Sequence, residues 1–518
     1  MRKIILLLAC SSCYFFVDAQ KIDGHLSGGF ESYTQYYQKD SAINAIVPQD
    51  RIGSNNYLKL DYNYKQFAVG IQFEGYLPSI AGFPFTINES KIANKYFRYS
   101  TPRFSLQVGD FYEQFGSGLI LRSWENRQIG INNAIEGVNA QVQPLRFVKV
   151  KALFGRPRVV FDYANSVIRG ADLEIDFSKI KSSEEPAKIR VATGFSFVSR
   201  YQEYTGPDPD FPATVNATSA RLDLSGNAAS FSMEYVHKGR DPHLVNFFSD
   251  KPGHALLVNT GYAKNNLGIN LTFRELNNMD FRGDRDATGT MLPVNYIPAL
   301  TKQDDYLTTN IYVYAAQALG EIGGQADLFY SIDQSSKLAF NFSHYRSLKD
   351  VDKYLSFGDV LYFQDANMEW KKKWNSKWNT TVGYHYVYHN KSVIEGGLHD
   401  TVKAHIVTTN TIFRYAKKRS FRFQLEHLYT KEDNGSWAAA VVEFGFVPNW
   451  TFYLSDLYNY GVTDLHYPII GGAYTSGGTR FSLNYGRQRA GLLCVGGVCR
   501  MVPAASGITA TLTTTFNN

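Results

Sequence analysis

The chain has 518 residues, with 53 Lys and Arg against 47 Asp and Glu, and it carries 35 Tyr, 36 Phe and 6 Trp beside 42 Gly and 17 Pro. So many aromatic residues exclude a disordered chain, and the low proline content excludes a collagenous one. The formal net charge of +6 is too small over this length to predict nucleic-acid binding. No linker or low-complexity stretch divides the sequence, so we expect a single domain.

The first twenty residues are typical of a secretory signal peptide. A short basic start precedes an apolar run that ends at Val17, and the small residue Ala19 follows. We therefore predict that residues 1–19 are cleaved and that residues 20–518 form one exported domain. An alternative is a lipoprotein cleavage box that ends at Cys10, although few apolar residues would precede it.

Apolar and polar residues alternate with a period of two along most of the remaining chain. Leu58, Leu60 and Tyr62, for example, alternate with Lys59 and Asp61. This period indicates strands with one apolar face. The predicted strands span 22–37, 56–64, 67–77, 90–99, 104–114, 134–143, 146–155, 166–177, 188–200, 217–226, 229–239, 254–264, 267–277, 320–332, 337–348, 359–372, 377–389, 402–415, 419–429, 436–447, 450–460, 466–476, 479–489 and 507–517.

Short turns and long connections alternate between these predicted strands. Lys65–Gln66 is one of the short turns, and 278–319 is the longest connection. Such alternation, with strands long enough to cross a membrane at a tilt, is typical of outer-membrane barrels. We therefore predict an all-β fold, an integral outer-membrane antiparallel β-barrel of about 24 strands (22–26). Short turns would be periplasmic, long loops extracellular, and some loops would partly plug the lumen.

A soluble run of β-sandwich domains is the rival architecture. It is disfavoured because the outward positions carry Phe, Leu and Tyr where a soluble sheet would carry Lys, Glu and Thr. The same alternation predicts lumen-facing charged residues at Lys59, Asp61, Glu74, Lys149, Lys151, Arg422, Glu426, Glu443 and Arg480. Both signs of charge occur, so strong charge selectivity is not predicted.

A dense charged cluster follows the fifth predicted strand. Its charged residues are Asp110, Glu113, Arg122, Glu125 and Arg127, and glycines between them would let the backbone bend sharply. We interpret the cluster as a candidate lumen constriction, formed by an infolded loop over 115–133 that sets the field in a pore. The alternative is a neutralised set of ion pairs that fills space inside a wide barrel.

The segment 278–319 is too long for an ordinary connection, so we expect it to be functional or folded on itself. Its candidate partner-docking residues are Phe281, Arg282, Asp284 and Tyr296. Arg282 and Asp284 flank a glycine in a cell-adhesion tripeptide that we attribute to chance. A calcium loop is not expected, because the further acidic ligands are missing.

Other chemistry-bearing patterns are weak. His385 and His389 lie four apart on a predicted strand without a zinc-protease motif, and no nucleophile elbow or phosphate loop occurs. We therefore expect no catalytic activity, no metal and no cofactor. The Lys- and Trp-rich segment 371–378 falls at a predicted short turn, where it would contact the membrane interface and not nucleic acid. The expected partners are outer-membrane lipid, the barrel-assembly machinery and other outer-membrane or surface proteins.

Two cysteines remain after the predicted signal peptide, Cys494 and Cys499. In an exported chain, such a close pair indicates a disulfide. Gly496-Gly497 suits a two-residue hairpin turn, which would place the two cysteines opposite each other within disulfide range. Because the closed loop is short, we expect the bond to stiffen the hairpin locally.

Several segments resemble a family of large outer-membrane proteins from Bacteroidota that has no assigned function. The resembling segments are 109–122, 295–303, 427–437, 456–461, 485–489 and 494–503, the last two carrying Gly-Arg-Gln-Arg and Cys-Val-Gly-Gly-Val-Cys. The resemblance implies the barrel fold and the outer-membrane location, and it supplies no activity. The strand pattern also starts near Lys21, without the plug domain that precedes the barrel in TonB-dependent transporters.

Two functions follow from these expectations. The first is a porin-like pore or conduit, independent of TonB, with a loop-constricted lumen. The alternative is a non-catalytic accessory or scaffold subunit of an outer-membrane assembly for secretion, barrel assembly or surface display. A wide barrel leaves an aqueous lumen unless something fills it, so the occupancy of the lumen separates the two.

Overall fold

The computed structural model describes residues 24–180, 188–204, 206, 208, 210–495 and 498–517. The predicted signal peptide and the Gly496-Gly497 turn lie outside the described residues. Twenty-four long strands, β1 to β24 in chain order, form the main sheet. They span His25–Tyr37, Ile52–Tyr64, Phe67–Tyr76, Ser90–Ser100, Phe104–Phe111, Ile135–Leu145, Val148–Val159, Val167–Asp176, Ile189–Tyr201, Thr214–Gly226, Ala229–Lys238, Gly253–Lys264, Leu267–Asn277, Gly320–Ser331, Ser336–Leu348, Phe357–Lys373, Trp378–Asn390, Thr401–Ala416, Arg419–Tyr429, Trp437–Phe446, Trp450–Asn459, Ile469–Ser476, Thr479–Gln488 and Ala505–Asn517.

The sheet closes on itself. Each long strand pairs antiparallel with its neighbours along the chain, and β1 pairs with β24 from Ser27 opposite Asn517 to Tyr37 opposite Gly507. Closure removes the free edges that an open sheet of this size would expose. The predicted fold class, an all-β antiparallel barrel of about 24 strands, is therefore confirmed.

Connections of different length lie at opposite ends of the barrel. Most connections at one end, the turn end, are tight, such as Lys65–Gln66 and 227–228, and the segment 177–188 is the long exception there. The other end, the loop end, carries the long connections, including 112–134 and 278–319. Short helical elements occur at Phe177–Lys179, Leu244–Asn246 and Lys391–Ile394. No helix in the described ranges is long and apolar enough to cross a membrane.

The two faces of the sheet differ in composition, as the period-two pattern predicts. In β9, Ser196 and Val198 are buried inside the barrel, whereas Phe195 and Phe197, on the outer face, are 54% and 43% exposed. Large apolar side chains on other strands are exposed in the same way. An apolar outer face is the inverse of a soluble sheet and the form that a lipid-facing barrel requires.

The apolar core lies inside the barrel, toward the loop end. It is formed by inward side chains of the strands together with residues of 112–134 and 278–319. These two segments are named the first and second plug loops below. Because they occupy the lumen, they are the natural candidate for a functional site.

Candidate functional site

The first plug loop, 112–134, consists of two miniature hairpins. Gln114–Phe115 pairs with Leu121–Arg122, and Glu125–Asn126 pairs with Ile131–Asn132. Gly118 has a φ of +98°, a conformation that favours glycine, and it allows the sharp turn of the first hairpin. The apolar side chains point into the lumen core and are almost fully buried: Phe115, Leu119, Ile120 and Leu121.

The second plug loop, 278–319, contacts the first loop through its backbone. The Arg122 N–H donates to the Val294 carbonyl at 2.8 Å, and the Tyr296 N–H donates to the Gly118 carbonyl at 2.9 Å. Asn295 donates to the Leu119 carbonyl at 3.2 Å. The two loops, which leave the wall at different strands, therefore form one connected plug.

Wall side chains hold the first plug loop at several points around the barrel. Lys151 Nζ on β7 lies 2.7 Å from Glu113 Oε1. The Ser117 N–H donates to Glu234 Oε2 on β11 at 2.8 Å. A charged side chain is a strong hydrogen-bond partner, so each contact fixes the loop more firmly than a neutral one would.

The charged residues expected at a constriction make separate local contacts. Arg127 contacts Glu125 at 3.1 Å and Glu31 of β1 at 2.9 Å. The Arg122 guanidinium lies 4.1 Å from the ring centre of Tyr296. Asp110 lies on β5 and accepts the Lys95 N–H at 2.8 Å.

These contacts bear on the two interpretations of the charged cluster, a lumen constriction and a space-filling set of ion pairs. Glu113, Arg122, Glu125 and Arg127 lie in or beside the plug, and Asp110 belongs to the wall. Glu113, Glu125 and Arg127 each have a partner of opposite charge, whereas Arg122 packs against aromatic rings and Asp110 accepts a backbone N–H. For these three residues the contacts are those of the alternative interpretation, ion pairs that fill space, and the lumen constriction stays a prediction.

The second plug loop is held by a wall carboxylate on β19. Glu426 accepts the Leu307 N–H at 3.0 Å and both the N–H and the hydroxyl of Thr308 at 2.7 Å. This is a long reach, because the loop leaves the wall at β13 and returns at β14. The alternation placed Glu426 in the lumen, but no sequence signal indicated its partners.

A buried ion pair lies where the second plug loop rejoins the wall. Arg274 Nε on β13 donates to Glu321 Oε1 on β14 at 3.0 Å, and both side chains are fully buried. Glu321 Oε2 accepts the Tyr314 hydroxyl at 2.5 Å and the Gln317 N–H at 2.7 Å. Buried charges persist only when paired and hydrogen-bonded, and this pair meets both conditions.

A second buried group of charges holds the start of the same loop. Arg200 Nη2 lies 2.8 Å from Asp241 Oδ1, and Lys238 Nζ lies 3.2 Å from Asp241 Oδ2. Arg200 also donates to the Arg282 carbonyl at 3.0 Å. The Phe281 ring packs between the two wall cations, 6.0 Å from the Arg200 guanidinium and 5.7 Å from Lys238 Nζ.

Burial limits what the predicted docking residues can contact. Phe281 and Arg282 are 2% and 8% exposed, and Tyr296 is half-buried against Arg122. Asp284 is also half-buried. In this conformation Phe281 and Arg282 offer no surface to an external partner, because their contacts are with the wall and the plug.

A polar cavity of about 410 Å³ lies beneath the first plug loop, toward the turn end. Plug residues Gln114 and Ser117 line its upper side. The wall contributes charges of both signs, namely Lys151, Asp172, Glu174, Arg190, Arg221, Asp223 and Glu234. This cavity, called the vestibule below, is the water-accessible part of the lumen that adjoins the plug.

Other loops close over the plug at the loop end. Tyr312 donates its hydroxyl to Asp433 at 3.2 Å, and Lys391 Nζ lies 2.6 Å from Asp433 Oδ1. Burial and the Asp433 charge raise the pKa of Tyr312, so its hydroxyl remains a donor at neutral pH. Burial opposes ionisation of Asp433, but Lys391 outweighs it and lowers the pKa of this carboxyl.

A hairpin between β23 and β24 also reaches the plug. Its strands are Gly491–Val495 and Val498–Val502, and a disulfide joins Cys494 to Cys499 across them. Arg500 donates to the Gln128 carbonyl of the first plug loop at 3.1 Å and to the Gly82 carbonyl. The hairpin therefore links the first plug loop to the neighbouring loop 77–89.

The predicted histidines occupy ordinary structural positions. His385 is hydrogen-bonded to Asn367 at 3.0 Å, and His389 lies 3.4 Å from Glu395. In the part of the chain that the structure describes, no group of three or more His, Cys, Asp or Glu side chains is placed to hold a metal ion.

Comparisons with known proteins identify a family and a set of distant structural relatives. A family model described as a family of unknown function matches residues 1–516. No curated protein matches the sequence. The translocation pore of the P pilus usher PapC is 10% identical, with a TM-score of 0.45 and with 95% of this chain and 99% of that chain covered.

Two further solved structures are similar at comparably low sequence identity. A mutant of the ferric enterobactin receptor PfeA from Pseudomonas aeruginosa is 8% identical, with a TM-score of 0.40 and coverage of 95% and 80%. OccAB3 from Acinetobacter baumannii is 8% identical, with a TM-score of 0.35 and coverage of 96% and 99%. At these identities and scores the likeness carries no argument about function.

Proposed function

The chain belongs to DUF6029, a family of unknown function, and we propose that it is a non-catalytic outer-membrane barrel, closed at its outer end, that serves as an accessory or scaffold subunit for surface partners. The apolar outer face supports the membrane location. In a Gram-negative outer membrane, the turn end would face the periplasm and the loop end the exterior. The Bacteroidota origin and the cleaved signal peptide stay predictions.

The apolar core of the plug is the observation that carries the proposal. Phe115, Leu119 and Ile120 are fully buried in it, together with inward residues of the wall. A path for polar solutes needs a water-filled, polar lining. A core of this kind excludes water, so the barrel in this conformation supports fixed loops better than continuous passage.

The loop end offers surfaces that a partner could contact. Phe247 is 87% exposed and Leu398 is fully exposed, and each lies on a loop whose neighbours are tied by hydrogen bonds. Adjacent exposed apolar side chains are typical of protein contacts, and Leu244 and Phe248, beside Phe247, are 45% and 40% exposed. Under this proposal the plug serves to hold those loops in place.

A gated conduit is the second candidate function. The vestibule favours it, because its charged lining would suit a polar solute entering from the periplasm. Passage would require the plug loops to leave the lumen. The two proposals therefore differ in whether the plug opens.

Planar-bilayer conductance separates the two proposals. We expect the wild-type protein to be silent and a variant in which a short flexible linker replaces residues 114–132 to conduct in stable steps. Glu426→Ala should give transient openings, because the Leu307 and Thr308 donors lose their acceptor. Glu443→Ala is the matched control, since this carboxylate lies on the inner face of the adjacent strand near the turn end, and it should remain silent.

Stable conductance steps from the wild-type protein would refute the closed barrel and favour the conduit. The accessory role is tested separately, by purification from the native bacterium in mild detergent. We expect partners in fixed stoichiometry that are lost when the second plug loop is shortened, because the outer loops then lose their support. Wild-type protein that is silent and also purifies alone would contradict the accessory role.

A further inference from the structure

The loop 349–356, between β15 and β16, does not cover the lumen. Glu321 faces inward, because it binds the Tyr314 hydroxyl of the second plug loop. Side chains alternate along a strand, so its neighbour Ile322 faces outward, and so does Glu275, the cross-strand partner of Ile322. Both outward side chains are nevertheless fully buried. Something therefore covers the outer wall at this point.

This part of the outer wall is covered by loop 349–356 itself. The Leu355 N–H donates to Glu275 Oε2 at 3.0 Å, and Asn277 donates to the Val351 carbonyl at 2.5 Å. The Tyr354 ring lies 4.5 Å from the His254 ring, on the same wall. The loop therefore folds down against the outside of the barrel, and Glu275 holds it there through the Leu355 N–H.

The outer surface of this loop carries exposed apolar side chains beside exposed charged ones at Lys349, Asp352 and Lys353. Val351 is 42% exposed, Tyr354 61% and Leu355 55%. The surface continues into Phe357, which is 50% exposed and packs against Phe273 of the outer wall with ring centres 6.5 Å apart. The exposed apolar side chains of the loop and the lipid-facing wall below them therefore form one continuous apolar band.

Most backbone donors of the loop are paired within the protein. The Lys349 N–H donates to the Ser356 carbonyl at 3.0 Å, the Asp350 N–H to the Ser356 hydroxyl at 3.0 Å and the Lys353 N–H to the Asp350 carbonyl at 3.3 Å. Glu275 accepts the Leu355 donor. Backbone groups that contact lipid must be paired within the protein, and these groups are.

We propose that loop 349–356 is a membrane-seated element that inserts Tyr354 and Leu355 into the headgroup and acyl boundary of the outer leaflet. The partner is a lipid surface, because the exposed apolar side chains of the loop are continuous with the lipid-facing wall and most of its backbone donors are paired. Exposed Lys251 and Lys353 beside the band suit the headgroup layer, and each is paired with an aspartate of the loop, Asp352 and Asp350 respectively. The inference rests on the proposed outer-membrane location.

Spin labels on single introduced cysteines test the insertion in the full chain, reconstituted in phospholipid vesicles without any other protein. Tyr354→Cys is compared with Phe342→Cys on the lipid-facing wall and with Leu398→Cys, which is fully exposed at the loop end. Cys10 and Cys13 are replaced by serine in every variant, and the native pair Cys494 and Cys499 is in a disulfide and does not react with the label. Collisions with oxygen report lipid, and collisions with a nickel chelate report water.

We expect nickel accessibility at position 354 to be several-fold lower than at position 398 and closer to that at position 342. High accessibility at 354 with low accessibility at 342 would overturn the inference and leave the membrane location intact. High accessibility at all three positions would overturn the membrane location itself, and the inference with it.

A second variant tests whether Glu275 holds the loop against the outer wall. Glu275→Ala removes the acceptor of the Leu355 N–H, so the loop should lift and nickel accessibility at position 354 should rise several-fold. Glu275→Gln keeps an acceptor and should preserve the low value. Equal values in the alanine variant and in the parent would overturn the role of Glu275.

Discussion

At the residue scale, the stability of the plug depends on charges that are paired where water is excluded. Arg274 and Glu321 are the clearest case, because both are fully buried. We expect Glu321→Ala to lower the free energy of unfolding by about 3–5 kcal/mol, since it leaves the Arg274 guanidinium buried without a counter-charge. Urea unfolding of the protein in lipid vesicles, followed by tryptophan fluorescence, measures the loss.

An exposed pair provides the matched control for this prediction. Arg240 and Asp250 contact each other with side chains that are 47% and 41% exposed. Asp250→Ala should leave the free energy of unfolding almost unchanged, because solvent screens such a pair. Equal losses in the two variants would show that burial does not govern these contacts.

The contacts of individual side chains were the feature that the sequence predicted least well. Alternation placed Glu426 and Lys151 on the inner face, since the side-chain period of a strand is fixed. It could not predict that Glu426 binds Thr308 or that Phe281 packs between Arg200 and Lys238, because these contacts join residues far apart in the chain. The charged cluster near Glu113 was visible in the sequence, but its pairing was not.

At the element scale, strands were predicted far better than loops. All 24 predicted strands correspond to strands of the barrel, with differences at their ends, such as a second strand that begins at Ile52 and not at residue 56. The miniature hairpins of the first plug loop were missed. Each of their strands has two residues, too few for a period to be detected.

The hairpin of Cys494 and Cys499 gives a prediction at this scale. Its two strands form a two-stranded sheet of their own, separate from the barrel sheet. We expect a Cys494→Ser, Cys499→Ser double variant to exchange amide hydrogens faster over 491–495 and 498–502, while the barrel strands keep their protection. The bond closes a short loop, so its effect should be local. Reductant-treated wild-type protein should show the same pattern, and a uniform rise across the barrel would contradict it.

At the scale of the whole molecule, the surplus of Tyr and Phe follows from closure of the sheet. A closed barrel in lipid exposes apolar side chains outward, so the sequence carries aromatic residues without the linkers of a multi-domain chain. The fold was predictable for this reason. Partial plugging of the lumen by long loops was also expected, but closure by an apolar core was not, because the packing of loop side chains leaves no periodic signal in the sequence.

As a whole molecule, the barrel is proposed to be closed from the outside and open beneath the plug. Ser232, which lines the vestibule, tests the claim when replaced by cysteine. Intact cells are treated with a maleimide on a polyethylene glycol too large for ordinary porins, and Leu398→Cys serves as the accessible control. We predict that Ser232→Cys is labelled only after the outer membrane is permeabilised or when residues 114–132 are replaced by a linker. Labelling of Ser232→Cys in intact cells, at the rate seen for Leu398→Cys, would contradict the account.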